Sequence, residues 1–155
     1  MNAVKREAAL LAAAGEHAKN VEERPRGSNA GPRVEEYLRS TGLGKGFPWC
    51  AAFVTWCYRH VDGLPSGFAG SAAVRVWASW AERTNRDRKD PARGRLFYQL
   101  DPKTGLGHIG FVAGLLPGGF FRTIEGNTNE GGSREGYKVA RRVRHRSKVR
   151  GFIEV

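Results

Sequence analysis

The run Ala51-Ala52-Phe53-Val54-Thr55-Trp56 constrains the fold of this chain more than any other stretch. Read as a helix, it is apolar all round. A helix without a polar face must be covered on every side, which makes it the centre of the domain. Ahead of it stands Gly44-Lys45-Gly46-Phe47-Pro48-Trp49, a Gly/Pro-bearing loop, so the helix begins at Cys50. A thiol in a first helical turn sits at the positive end of the macrodipole, which favours the thiolate. The thiolate is the attacking form of cysteine. A reactive Cys further requires a base and a group that orients the base.

The remaining elements follow from period and punctuation. Residues 1 to 24 contain an amphipathic helix, with Lys5, Arg6, Glu7 and Glu16 set through an Ala/Leu run. Pro32 suits a first helical position after Gly31, Val34, Tyr37 and Leu38 form an apolar stripe, and Gly42 ends the segment. Ser71 is placed to cap a further helix in which Val74, Trp77, Ala78 and Ala81 recur at helical spacing. Thr84 to Gly94 is polar, carries Pro91 and reads as a loop. Strand patterns follow at Arg95 to Leu100, Ile109 to Gly114, Phe120 to Glu125, Tyr137 to Val143 and Val149 to Val155. Helices first and antiparallel strands afterwards predict an α+β fold. The chain has 155 residues and neither an internal repeat nor a dividing linker.

Cys50 and Cys57 are the chain's two cysteines. On one helix they stand about two turns apart, roughly 10 Å along the axis, too far for a disulfide. Without a CxxC pair or a tight His/Cys cluster, nothing calls for a structural zinc, and the expectation is no metal and no cofactor. No stretch is long and apolar enough to span a membrane. The charged N-terminus does not read as a signal peptide, so the expectation is synthesis in the cytoplasm. Lys and Arg number 26 against 15 Asp and Glu, a net charge of +11. Such a surface attracts polyanions: nucleic acid, anionic wall polymers or anionic lipid. The densest run, Arg141-Arg142-Val143-Arg144-His145-Arg146, reads either as the solvated face of a strand or as a binding patch.

Pro117-Gly118-Gly119 marks a hairpin between two of the strands. Strand side chains alternate between faces. With an even loop, His108, Gly110 and Val112 share a face with Thr123, Glu125 and Asn127. His108 then lies across from Glu125 or Asn127, either within reach of its imidazole. A bulge or an odd loop breaks that parity. The Cys50 helix is expected to set its N-terminus against this face. There His108 would take or hold the thiol proton, and Glu125 or Asn127 would fix the ring. Gly107 and Gly110 flank the His and leave room for substrate backbone. Trp49 adjoins the Cys and is the third candidate for substrate contact. Cys57, Trp56, Trp77 and Trp80 read as core, and His17, His60 and His145 as surface.

Here the chain resembles a family. Asn29-Ala30-Gly31-Pro32-Arg33-Val34, Tyr37-Leu38 and Gly46-Phe47-Pro48-Trp49-Cys50-Ala51-Ala52-Phe53-Val54 look like the N-terminal half of a CHAP domain. Gly107-His108-Ile109-Gly110-Phe111-Val112 and Thr123-Ile124-Glu125-Gly126-Asn127-Thr128 look like its two later motifs. The likeness covers residues 25 to 155 and leaves 1 to 24 as an N-terminal helical extension. It implies a papain-like fold of the NlpC/P60 type and cleavage of amide bonds in the peptide part of the bacterial cell wall. The family's nucleophile falls on Cys50, its base on His108 and its orienting acid on Glu125; Asn127 matches a further polar position. Where the family commonly has Gly-Asp before the first long strand, this chain has Gly94-Arg95, a position read as structural. The resemblance implies a lysin or an antibacterial toxin domain, an amidase or an endopeptidase, that reaches the wall after release or delivery. Two other readings stand beside it: a basic nucleic-acid-binding module, and a papain-like protease or acyltransferase on a substrate other than the wall.

Overall fold

In a computed structural model, which describes residues 2–128 and 136–155, the described residues form four α-helices, six strands and two short 3-10 turns. The helices are α1 (Asn2–Ala18), α2 (Pro32–Arg39), α3 (Cys50–His60) and α4 (Val74–Arg83). The strands are β1 (Asp87–Arg88), β2 (Leu96–Leu100), β3 (Gly107–Leu115), β4 (Phe120–Thr128), β5 (Lys138–His145) and β6 (Gly151–Ile153). All pairings are antiparallel, in the order β1-β6-β2-β3-β4-β5. The fold is α+β, as the order of patterns predicts.

The apolar run occupies the centre. From Cys50 to Thr55 every residue of α3 is buried, and Cys57 and Tyr58 are buried beyond it. Its Phe53 meets Tyr37 of α2 and Phe111 of β3, each edge to face. Helix α1 packs on α3 through Ala9, Leu10 and Ala13. It is clamped to α2 by the buried carboxylate of Glu16, which pairs with Arg33 and accepts from the Tyr37 hydroxyl at 2.7 Å. These partners outweigh burial and lower the Glu16 pKa to about 2. The position where the family commonly has Asp is taken by Arg95, which joins Arg6 and Arg88 on Glu154.

Alternate strand residues divide between two clusters. Ile109, Phe111 and Ile124 belong to the main core under the helices. Val112, Phe97, Phe121 and Phe152 make a smaller cluster on the other face of the sheet. His108 is on this second face, tilted against Phe97. Helix α3 therefore covers the face opposite to the one expected. Its N-terminal end comes to the end of the sheet where β3 begins, and Cys50 meets His108 there.

Two differences from the expected elements have simple causes. The segment from Thr84 to Gly94 contains β1, a two-residue strand paired with β6, too short to leave a periodic signal. Helix α4 starts after Ala73 without a side-chain cap; Ser71 Oγ accepts from the Ala73 N–H instead, and its carbonyl accepts from Thr55 and Trp77.

Gly126 lets α3 lie close on β4. A Cβ there would sit 2.8 Å from both Cβ and Cγ of Phe53. Gly126→Ala is expected to destabilise the fold by about 1–3 kcal/mol, the usual cost of overpacking a core. Urea unfolding of the variant against the native protein measures it.

Candidate active site

The hairpin brings His108 and Glu125 together through two departures that cancel. Near the turn, Leu115 pairs with Phe121 and Gly114 with Arg122, so the loop is odd. The register then shifts between Val112 and Gly114, and Val112 pairs with Thr123 and Phe111 with Ile124. The bulge restores the parity that the odd loop breaks. The turn between is a 3-10 turn, Pro117–Gly119, with Gly118 at φ 75 and Gly119 at φ 84.

His108 is 3 % exposed and Glu125 fully buried. His108 Nε2 and Glu125 Oε1 are 2.8 Å apart. The carboxylate also accepts from Arg144 Nε at 2.6 Å and Nη2 at 2.7 Å, and from the Thr123 hydroxyl. Burial alone would raise the Glu125 pKa. Arg144 and His108 overcome it and hold the carboxyl well below the usual range. Burial likewise lowers the His108 pKa, but Cys50 and Glu125 together raise it to about 9. Both partners thus favour the imidazolium over the neutral ring. Its Nδ1 makes no hydrogen bond of ordinary geometry among the described residues. Sγ of Cys50 is near enough to favour the charged ring yet stands outside a formed bond.

Gly110 makes the His–Glu contact possible. A Cβ there would lie 2.9 Å from Glu125 Cγ and 2.8 Å from Phe97 Cε1. A Cβ on Gly107 would run into the Gln99 carbonyl and press on Val74. Of the three residues offered for substrate contact, Gly107 alone lines open clefts. Gly110 is buried. Trp49 is fully buried, stacked on Tyr37 and donating through Nε1 to Glu23 Oε1 at 2.9 Å.

Asn127 does not hold the imidazole. It has a left-handed backbone, φ 56, and its Oδ1 accepts from the Trp49 N–H at 3.0 Å. It thereby fixes the residue on which α3 begins. The first N–H to close a bond of α3 is that of Phe53, on the Trp49 carbonyl. The Cys50 N–H thus lies ahead of the ladder, where helix donors point outward. Cys57 is fully buried in the core, and burial pushes its thiol well up. Asn29, at φ 51, both turns the chain, accepting from the Gly46 N–H, and lines a pocket with Cys50.

Sequence reasoning missed two residues here. Arg144 was part of a basic run with no sign of its partner; its alternation along β5 puts it on the Glu125 face, but only once the β4–β5 register is known. Glu23 lies in a loop without a motif and reaches the pocket beside Cys50. Among the described residues no group of three His, Cys, Asp or Glu side chains gathers as a metal site.

The family model described as CHAP domain matches residues 42–127, more than half of the chain. No curated protein and no solved structure matches it.

Arg144→Met leaves a buried carboxylate short of its strongest partner. It is expected to cost about 3 kcal/mol of stability, read by denaturant unfolding, and to lower turnover. Because the His108 pKa is raised above its ordinary 6.5, the pairing stabilises the fold fully below 6.5 and loses that contribution as pH rises through about 9. Glu125→Gln removes a group that raises it, so the pH at which the imidazolium is lost must fall. NMR titration of the His108 ring against the native protein measures the shift.

Proposed function

The chain belongs to the CHAP domain family, and we propose that it hydrolyses an amide bond in the peptide part of peptidoglycan through a Cys50 acyl-enzyme. CHAP domains are generally hydrolases, and membership points to a peptidoglycan substrate. The observation that carries the finer reading is buried His108, held through Nε2 by Glu125 at 2.8 Å and close enough to Cys50 that both neighbours favour its charged form.

The steps follow from that line. Cys50 Sγ, as thiolate, attacks the scissile carbonyl carbon, and the carbonyl oxygen takes the negative charge. The Cys50 N–H donates to that oxygen. The tetrahedral adduct collapses as the C–N bond breaks, and His108 passes its proton to the departing nitrogen. Neutral His108 then draws a proton from water, the hydroxide adds to the thioester carbon, and the C–S bond breaks to release the carboxylic acid. Glu125 keeps Nε2 engaged, fixes the ring's orientation and stabilises its charged form. Asn127 holds the start of α3 rather than the ring.

Residues 25 to 155 are read as the hydrolase domain and 1 to 24 as its helical extension. Among the described residues no helix is long and apolar enough to cross a membrane. The net charge of +11 supports attraction to anionic wall polymers once the enzyme is released or delivered to the wall. The nucleic-acid reading rests on the same charge, whose densest run is Arg141 to Arg146. Two of its arginines are engaged: Arg144 on Glu125 and Arg146 on Asp90.

Purified cell walls should clear with the native protein and not with Cys50→Ala, while Cys57→Ala keeps most of the activity. Iodoacetamide should label Cys50 before Cys57. Mass spectrometry of the released fragments identifies the bond cut and so separates an amidase from an endopeptidase. Clearing by Cys50→Ala would end this reading.

A further inference from the structure

Three carboxylates among the described residues are buried: Glu16, Glu23 and Glu125. Glu16 is paired with Arg33 and Lys19, and Glu125 with Arg144 and His108. Glu23 is 2 % exposed and has no cation among the described residues. Its two oxygens accept from Trp49 Nε1 at 2.9 Å and from the Gly27 N–H at 2.8 Å. A buried carboxylate held by neutral donors alone lacks the partner that such a charge requires. In a chain with 26 Lys and Arg, cations are in surplus, yet none of the described ones is placed here.

The carboxylate faces a pocket. A cavity of about 280 Å³ is lined by Glu23, Asn29, Pro48, Cys50, Leu106 and Asn127 among others; it borders Cys50 but not His108. A second cleft borders His108 but not Cys50, and there Arg144, Lys148 and Arg150 outnumber Asp101. A cation is drawn to the first cavity and repelled from the second.

We propose that the Glu23 cavity binds a protonated amine of the substrate, with Glu23 as its counter-ion. The inference rests on reading the cleft as an amide hydrolase. His108 delivers its proton to the departing nitrogen, so the departing half lies on the His108 side and the acyl half on the Glu23 side. The ammonium therefore belongs to the half that becomes the thioester. Wall stem peptides offer this group twice: as a free N-terminal amine and as the side-chain amine of a diamino acid.

The test uses the full chain carrying Cys50→Ala, so that nothing is turned over. Calorimetry compares L-alanyl-γ-D-glutamyl-L-lysine with its Nα-acetyl and Nε-acetyl forms. One acetylation is expected to weaken binding at least tenfold, and which one identifies the amine. Adding Glu23→Gln should bring the unmodified peptide down to that weaker level. Should Glu23→Gln fail to fold, carbodiimide coupling of the unmodified peptide to the Cys50→Ala protein must give an amide on Glu23, located by peptide mass spectrometry. Equal binding of all three peptides, no binding of any, a preference that survives Glu23→Gln, or coupling only to exposed carboxylates overturns the proposal. Wall clearing by the native enzyme reports on the hydrolase reading separately. A protein that clears walls but ignores acetylation loses the ammonium site alone.

Discussion

Everything in the candidate site hangs on the buried charge of Glu125. Four hydrogen bonds converge on it, from His108 of β3, Thr123 of β4 and Arg144 of β5. One carboxylate thus ties three adjacent strands at the end of the sheet where α3 arrives. Removing an isolated carboxylate from water costs several kcal/mol. Here the cost is offset by the bidentate guanidinium, whose fork matches the carboxylate plane. Arg144 is in turn seated over the Phe97 ring at 4.9 Å. The small apolar cluster on the outer face of the sheet therefore supports the arginine, the arginine holds the acid, and the acid orients the imidazole.

Cys50 is positioned from the other side by different forces. Helix α3 is set by packing: Phe53 against Phe111, and the bare Cα of Gly126 beneath it. Packing fixes the helix axis, while Asn127 fixes its start by accepting from the Trp49 N–H. Glu125 and Asn127 are two residues apart on β4, with a register shift between Glu125 and Thr128. That irregularity turns them to separate tasks, one on the base and one on the helix that carries the thiol. A single strand end thereby sets the distance between Cys50 and His108.

Much of this was legible in the sequence because it rests on short periods. The apolar run gave the central helix, and alternation put His108, Thr123 and Glu125 on one face. His108 and Glu125 keep the shared face expected of an even, unbulged hairpin because the odd loop and the bulge offset each other. What escaped depended on long-range register. Arg144 looked like one more surface arginine until β5 was laid beside β4. Trp49 read as a candidate for substrate contact beside the thiol, yet its indole is buried on Tyr37 and bonded to Glu23. The face that α3 covers was misjudged because nothing local records which side of a sheet a helix takes. Glu23 carried no signal at all: its burial arises from the meeting of Trp49, Gly27 and the segment at Tyr137, to whose carbonyl its own N–H donates.

The electrostatics of His108 also bear on how one ring would serve two opposite steps in the proposed reaction. It must be charged to protonate the departing nitrogen and neutral to activate water. Burial works against its charge, and two partners work for it, Cys50 and Glu125. In the proposed reaction the charge of Cys50 is consumed when the thioester forms, while burial and Glu125 remain. The imidazolium then loses one of its two supports at the moment its proton has been given away. In that reaction a ring favoured as imidazolium before attack would become a better base in the acyl-enzyme. Arg144 assists by keeping Glu125 ionised throughout, so the change in His108 follows the state of Cys50 and not that of the acid.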